Sequence, residues 1–216
     1  MTDIPASGLT AEQLIDILGN WDTLYAAPLH LIACGDAALA LLKFRSVTQD
    51  VDLMVPLQAE YELLLKRLPI LGFEKTAQGF ALEATPDIAW RFWPGRTAFG
   101  AQLVESPLDD ANHTAVASWQ HLSLGILNLS DLMITHIFRS LPADVNDCIA
   151  VFKTWKVDAE ELLERYAETS EHAENPDDMM RKFMEFVEHL ASQQLVSDEV
   201  WERIARSGRK EKRVRG

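Results

Sequence analysis

Two aspartates one residue apart, Asp50 and Asp52, are the side chains in this sequence best placed to do chemistry. The segment DVDLMV, closed by Pro56, alternates as a strand does, with Val51, Leu53 and Val55 on one face and Asp50, Asp52 and Met54 on the other. Two carboxylates on one strand face can share divalent cations, and oxygen ligands of this kind suit Mg2+ or Mn2+. Fifteen residues before Asp50, the apolar run Leu29 to Cys34 ends at Gly35, and an Ala- and Leu-rich run from Asp36 to Lys43 follows. This pattern predicts a buried strand turning directly into a helix, whose N-terminus presents backbone N–H groups and a dipole that favours phosphate. Together the two features suit a nucleoside triphosphate and its metal: the turn takes the distal phosphates, and the aspartates hold the ion that polarises the reacting phosphorus. Taken alone, an Asp-x-Asp pair is more often a solvated strand edge.

Arg45 and Thr48 stand between the turn and the aspartates. Arg45 either contacts phosphate or pairs with an acidic neighbour, and its position leaves both open. His136 falls beside Ile134 and Ile137 at helical spacing, a pattern more usual for a partly buried histidine than for a catalyst. The six tryptophans, Trp90 and Trp93 among them, suit core filling better than base stacking. A serine elbow, an HExxH pair, a Walker A loop and a dinucleotide fingerprint are all missing, which removes the commonest competing enzyme classes.

The elements that must position these residues are legible in outline. Thr10 and Gln13 have the form of a capping box before a first helix carrying Leu14, Ile15 and Leu18, with an end expected near Gly19 and Asn20. A second short helix is expected over Asp22 to Ala27, and an amphipathic one over Gln58 to Leu68. Strands are predicted at Gly72–Lys75, Phe80–Glu83, Ile88–Trp93, Ala101–Glu105, His113–Trp119 and Leu122–Leu127, with a hairpin turn at Thr85-Pro86-Asp87. From Ser130 onward the texture is helical, with Ser130, Asp144, Asp158, Asn175 and Ser197 at N-cap positions and a linker-like break in EHAENPDD.

The segment LIACGDAALALLKFRSVTQDVDLMVP resembles the polymerase-beta-like nucleotidyltransferase superfamily, whose signature is an apolar strand, a Gly-Gly or Gly-Ser turn, and Asp-x-Asp some residues later. Its closest form is the small bacterial and archaeal branch with a GGxAL...RxTxDID pattern, which includes toxin components of toxin–antitoxin pairs. The piece LSDLMITHIFRSLPADVNDCIAVFKTWKVDAEELLERY is similar to the helical region of that branch, with an Asp-x-x-Asp helix start at Asp144 and Asp147. The resemblance covers roughly residues 29 to 166. It implies an α/β (α+β) fold with a mixed sheet flanked by helices and a C-terminal helical region. It also implies transfer of a nucleoside monophosphate from a triphosphate to a hydroxyl on RNA, protein or a small molecule. Asp50 and Asp52 would be the catalytic and metal-holding pair, with Gly35, Asp36, Arg45 and Thr48 toward the substrate.

Two departures accompany the match. Asp36 stands where the pattern has its second glycine, and a carboxylate there caps the helix and repels phosphate. Arg91 stands where the family's third carboxylate is expected, with Asp87 and Glu83 the nearest acids. An arginine facing Asp50 and Asp52 would pair with them and hinder metal binding. The family's further basic position, usually lysine, corresponds to His136. These departures carry the alternative reading, a catalytically inactive module of the same fold that binds nucleotide or a protein partner, as in a toxin–antitoxin-like system. Arg91 beside the aspartates is expected in the inactive case, and an acidic side chain reaching them in the active one.

The 216 residues predict an α/β domain over 1–128, a helical region over 129–207 and a basic tail over 208–216. Hydrophobic residues at 48% and charged residues at 25% match a globular chain, with no apolar run long enough for a bilayer and no secretory signal, so the cytoplasm is the expected address. Cys34 and Cys148 have no ligand or disulfide spacing. A net charge of −13 opposes sequence-blind binding to nucleic acid, although the tail carries five basic residues against one acidic.

Overall fold

Apolar runs bounded by glycine and proline build the sheet. Leu29–Cys34 (β1) and Asp50–Val55 (β2) are almost entirely buried strands, and they pair antiparallel with Cys34 opposite Asp52 and Ile32 opposite Met54. Phe73–Thr76 (β3), Gly79–Leu82 (β4) and Thr85–Pro94 (β5) continue the sheet on one side, and His113–Ser118 (β8) and Leu122–Leu127 (β9) on the other. The strand order is β3-β4-β5-β2-β1-β9-β8, with β2 parallel to β5 and β1 parallel to β9. This seven-stranded mixed sheet with helices is the α/β class read from the sequence. Two short strands, β6 (Thr97–Ala98) and β7 (Ala101–Gln102), lie outside it, so the longer strand expected over 101–105 shrinks to two residues.

The computed structural model describes residues 8–155 and 157–204. The basic tail over 208–216 lies outside the described residues. Within them the chain divides into two compact units, one running to Ala98 and taking in Glu105–Asn128, the other made of Phe99–Val104 and the chain from Leu129 onward.

In the first unit, helix α1 (Ala11–Asp22) starts at the expected capping box: Gln13 N–H donates to the Thr10 hydroxyl and Thr10 N–H to the Gln13 side chain. It passes through Gly19 and ends later than predicted, and no separate helix forms over Asp22 to Ala27. Gly19 serves close packing: a Cβ there would stand 2.9 Å from the Trp119 indole nitrogen. Asp22 accepts hydrogen bonds from the N–H groups of Gln120, His121 and Leu122, which fixes the helix end to the entry of β9. Helices α2 (Gly35–Leu41) and α3 (Gln58–Arg67) follow β1 and β2.

On the sheet face opposite the aspartates, Trp21, Phe73, Trp90 and Phe92 form an aromatic core, with Trp21 and Trp90 each edge-on to Phe73 at 5.4 and 5.3 Å between centroids. The predicted Thr85-Pro86-Asp87 turn is instead strand. Leu82 pairs with Thr85 across a turn at Glu83 and Ala84, and the register then slips before Ala81 meets Ala89. Pro86 sits within that irregularity, where its missing N–H breaks no ladder bond.

The second unit is helical: α4 (Leu129–Arg139), α5 (Pro142–Trp155), α6 (Ala159–Ser170), α7 (Pro176–Ser192) and helical residues 198–204. Asp158 and Asn175 cap α6 and α7 as expected, and the Ser197 hydroxyl accepts from Val200 N–H. Asp144, unlike the N-cap its position predicts, lies inside the first turn of α5, where its carboxylate accepts from Leu141 N–H. The core stacks Tyr166 on Phe183 at 4.6 Å, and the Tyr166 hydroxyl donates to the Met179 carbonyl.

Candidate functional site

The register of β1, β2 and β5 assembles the site within the first unit. Asp50 lies opposite Ala89, Asp52 opposite Arg91, and Met54 opposite Trp93. Directly paired residues share a sheet face, so Asp50, Asp52, Arg91 and Trp93 all project to one side. Cys34 lies opposite Asp52 on the other flank, which sets Gly35 one residue beyond the pair. The two aspartates therefore stand on one face beside the glycine turn.

Arg91 is seated between them. Its Nε donates to Asp52 Oδ1 at 2.8 Å, and its Nη2 to Asp52 Oδ2 at 3.2 Å and to Asp50 Oδ1 at 2.6 Å. The Trp93 indole N–H donates to Asp52 Oδ1 at 3.0 Å. Asp52 is wholly buried, while 37% of the Asp50 side chain is exposed. Burial alone would favour loss of the Arg91 proton, but the hydrogen bonds and charge of Asp52, then of Asp50, outweigh it and raise the guanidinium pKa. A buried carboxylate needs such partners, because an unpaired charge in a low-dielectric interior is costly.

This donor set does not fit a divalent ion as it stands. Both Asp52 oxygens and one Asp50 oxygen face the guanidinium, and a fixed cation holds the space between the carboxylates where a metal would bridge them. Among the described residues, the side chains of Arg91 and Trp93 bond to the pair, and neither Asp87 nor Glu83 takes the place of a third carboxylate there.

The other candidate residues lie nearby on the chain with roles of their own. Gly35 opens α2 with a φ of 55°, a left-handed backbone that favours glycine, and α2 is only seven residues long. Asp36, in its first turn, is paired with Arg45 at 2.8 Å, so the acidic partner open to Arg45 in the sequence is Asp36. Thr48 is buried; its hydroxyl donates to the Asp50 carbonyl at 2.7 Å and accepts from Asp50 N–H, shaping the entry to β2.

Sequence reasoning missed Trp93 as a partner of Asp52. The signal was present, since Trp93 is two residues from Arg91 and shares its face. It also missed a buried network in the second unit. His136 Nδ1 lies 3.2 Å from Asp144 Oδ1, and Arg139 donates to the same carboxylate through Nη2 at 2.6 Å and Nε at 3.1 Å. These donors hold the buried Asp144 carboxyl down at about 2 against the upward pull of desolvation. A ring nitrogen of His136 and one oxygen each from Asp144 and Asp147 lie within 4.8 Å of one another.

No protein-family model matches the chain, and no curated protein matches it either. Among solved structures, it is similar to the antibiotic-resistance factor ANT(2'')-Ia in solution, at 16% identity and a TM-score of 0.48, over 73% of this chain and 89% of that one. It is also similar to ANT(2'')-Ia in complex with adenylyl-2''-tobramycin, at 17% identity and a TM-score of 0.49, over 74% and 97% respectively. No helix among the described residues is long and apolar enough to cross a membrane.

Proposed function

We propose that this chain is a nucleotidyltransferase-like module in which the metal step has been silenced and the fold is kept for binding. The observation carrying this reading is the Arg91 guanidinium bonded to both Asp50 and Asp52. Arginine is charged throughout the physiological range, so the positive charge a metal would bring is supplied permanently by the chain itself. A guanidinium cannot exchange phosphate oxygens or activate an attacking hydroxyl as a coordinated ion does. At the start of α2, Asp36 pairs with Arg45, which engages the arginine otherwise open to phosphate. What such a module binds, in the cytoplasm, is a nucleotide held without transfer or a protein partner of the toxin–antitoxin kind.

A second reading is favoured by one arrangement, the two aspartates on one face beside the Gly35 turn. In it the chain transfers a nucleoside monophosphate from a triphosphate to a hydroxyl of RNA, protein or a small molecule. That chemistry requires Arg91 to leave both carboxylates. Calorimetry with Mn2+ and a non-hydrolysable triphosphate separates the two. The silent module predicts no heat in the wild type that Asp52→Asn removes, and a new Asp52-dependent heat in Arg91→Asp. Wild-type heat that disappears in Asp52→Asn establishes the enzyme instead.

A further inference from the structure

We propose that the outer edge of β8 (His113–Ser118) pairs antiparallel with the same edge of a second copy of this chain, joining two seven-stranded sheets across a two-fold axis. This interface is independent of Asp50, Asp52 and Arg91. A sheet edge presents a row of unpaired backbone N–H and C=O groups, so proteins that stay monomeric guard their edges with charge, proline or very short strands. The two edges of this sheet differ in that respect. At one end, β3 is four residues long and carries the exposed Glu74 and Lys75. At the other end, β8 is six residues long and reads HTAVAS, with no Asp, Glu, Lys, Arg or Pro. Its inner side pairs with β9, and among the described residues no hydrogen bond from another element reaches the backbone of residues 114–118. One edge is guarded and the other is left ready to pair.

The register with β9 slips between Ala115 and Ala117, so Val116 forms a bulge and the regular stretch is residues 113–115. Thr114 and Ala115 are exposed there. A two-fold antiparallel pair centred on this stretch sets Thr114 opposite its own copy and His113 opposite Ala115, and facing threonines are a favourable cross-strand pair. Charge selects a second copy as the occupant and fixes the direction. The chain carries −13, so two copies repel over most of their surface, whereas this edge brings no charged side chains face to face. Antiparallel pairing runs the exposed Asp109 and Asp110, just before β8, toward the uncharged Ser118 end of the other copy. A parallel pair would instead gather the same aspartates of both copies at one end, where they repel.

Sedimentation velocity of the full chain, over a range of protein and NaCl concentrations, tests the pairing. The expected result is a monomer–dimer equilibrium that tightens as NaCl rises, because salt screens the general repulsion between two acidic bodies. Thr114→Glu sets two carboxylates across the axis and weakens the dimer at least about tenfold. Lys75→Gln, which changes the net charge by the same amount at the guarded edge, leaves it unchanged. Amide hydrogen exchange supplies a readout that needs no variant: residues 113–116 exchange more slowly as the wild type is concentrated into the dimer. If circular dichroism shows that Thr114→Glu does not fold, the exchange measurement decides. A wild type that stays monomeric throughout overturns the proposal. So does a dimer that a folded Thr114→Glu leaves intact, or one whose new exchange protection falls outside β8.

Discussion

The side chain that decides the first unit's chemistry is Arg91, because it converts two co-facial acids from a metal site into an ion-paired cluster. Removing one partner of a buried pair leaves the other charge uncompensated, which typically costs about 3–5 kcal/mol. Arg91→Met therefore destabilises the protein by that order in urea unfolding, with Asp52 left buried. The double variant Arg91→Met with Asp52→Asn recovers a large part of the loss, since no buried charge then lacks its partner. Equal losses in the single and double variants would show that the contact contributes packing and little electrostatics. Asp144 makes a second prediction at this scale. Its folded pKa of about 2 lies below the usual carboxylate value, so its contribution is fully present above about pH 4 and is lost as pH falls toward 2. The shift corresponds to roughly 2 kcal/mol, read as the difference between wild type and Asp144→Asn in acid unfolding curves.

Elements obey the same logic through their glycines and caps. Gly79 has a φ of +134°, and a Cβ there would stand 2.4 Å from the Trp90 carbonyl oxygen. Gly79→Ala meets both a backbone conformation that alanine resists and a backbone atom that cannot yield. A loss of about 2–3 kcal/mol follows, measured by thermal or urea unfolding. Asp158→Ala removes the cap that accepts from Glu160 and Glu161 N–H and lowers stability by about 1 kcal/mol in the second unit. These two positions also mark what sequence shows and what it hides. The strands Leu29–Cys34, Asp50–Val55 and Leu122–Leu127 and the caps at Thr10, Asp158 and Asn175 are legible because burial and capping act over a few neighbouring residues. The end of α1 is not, because Asp22 is held by residues about a hundred positions away. The Thr85-Pro86-Asp87 turn fails for the same reason, since the slip against β4 is a property of two strands together. At the site, the alternation of β2 and β5 predicts which residues share a face. That Trp93 donates to Asp52 depends on a side-chain direction that alternation leaves open.

At the scale of the whole molecule, the charge of −13 sets how stability responds to solvent. Self-repulsion in a chain this acidic opposes the compact state, and it diminishes as the net charge falls toward zero on the way from pH 7 to the isoelectric region near 4.8. The melting temperature should therefore rise over that interval. Below about pH 4 the sign reverses, because Asp144, held down at about 2 by the hydrogen bonds it accepts from Arg139 and His136, begins to lose them. The expected profile has a maximum on the acidic side of neutrality. Added salt tests the cause: it screens exposed charges, so NaCl raises the melting temperature at pH 7 and has little effect near the isoelectric region. Melting temperatures that fall steadily from pH 7 downward, with no response to salt, would mean that the buried ion pairs already dominate at neutrality and that surface repulsion contributes little.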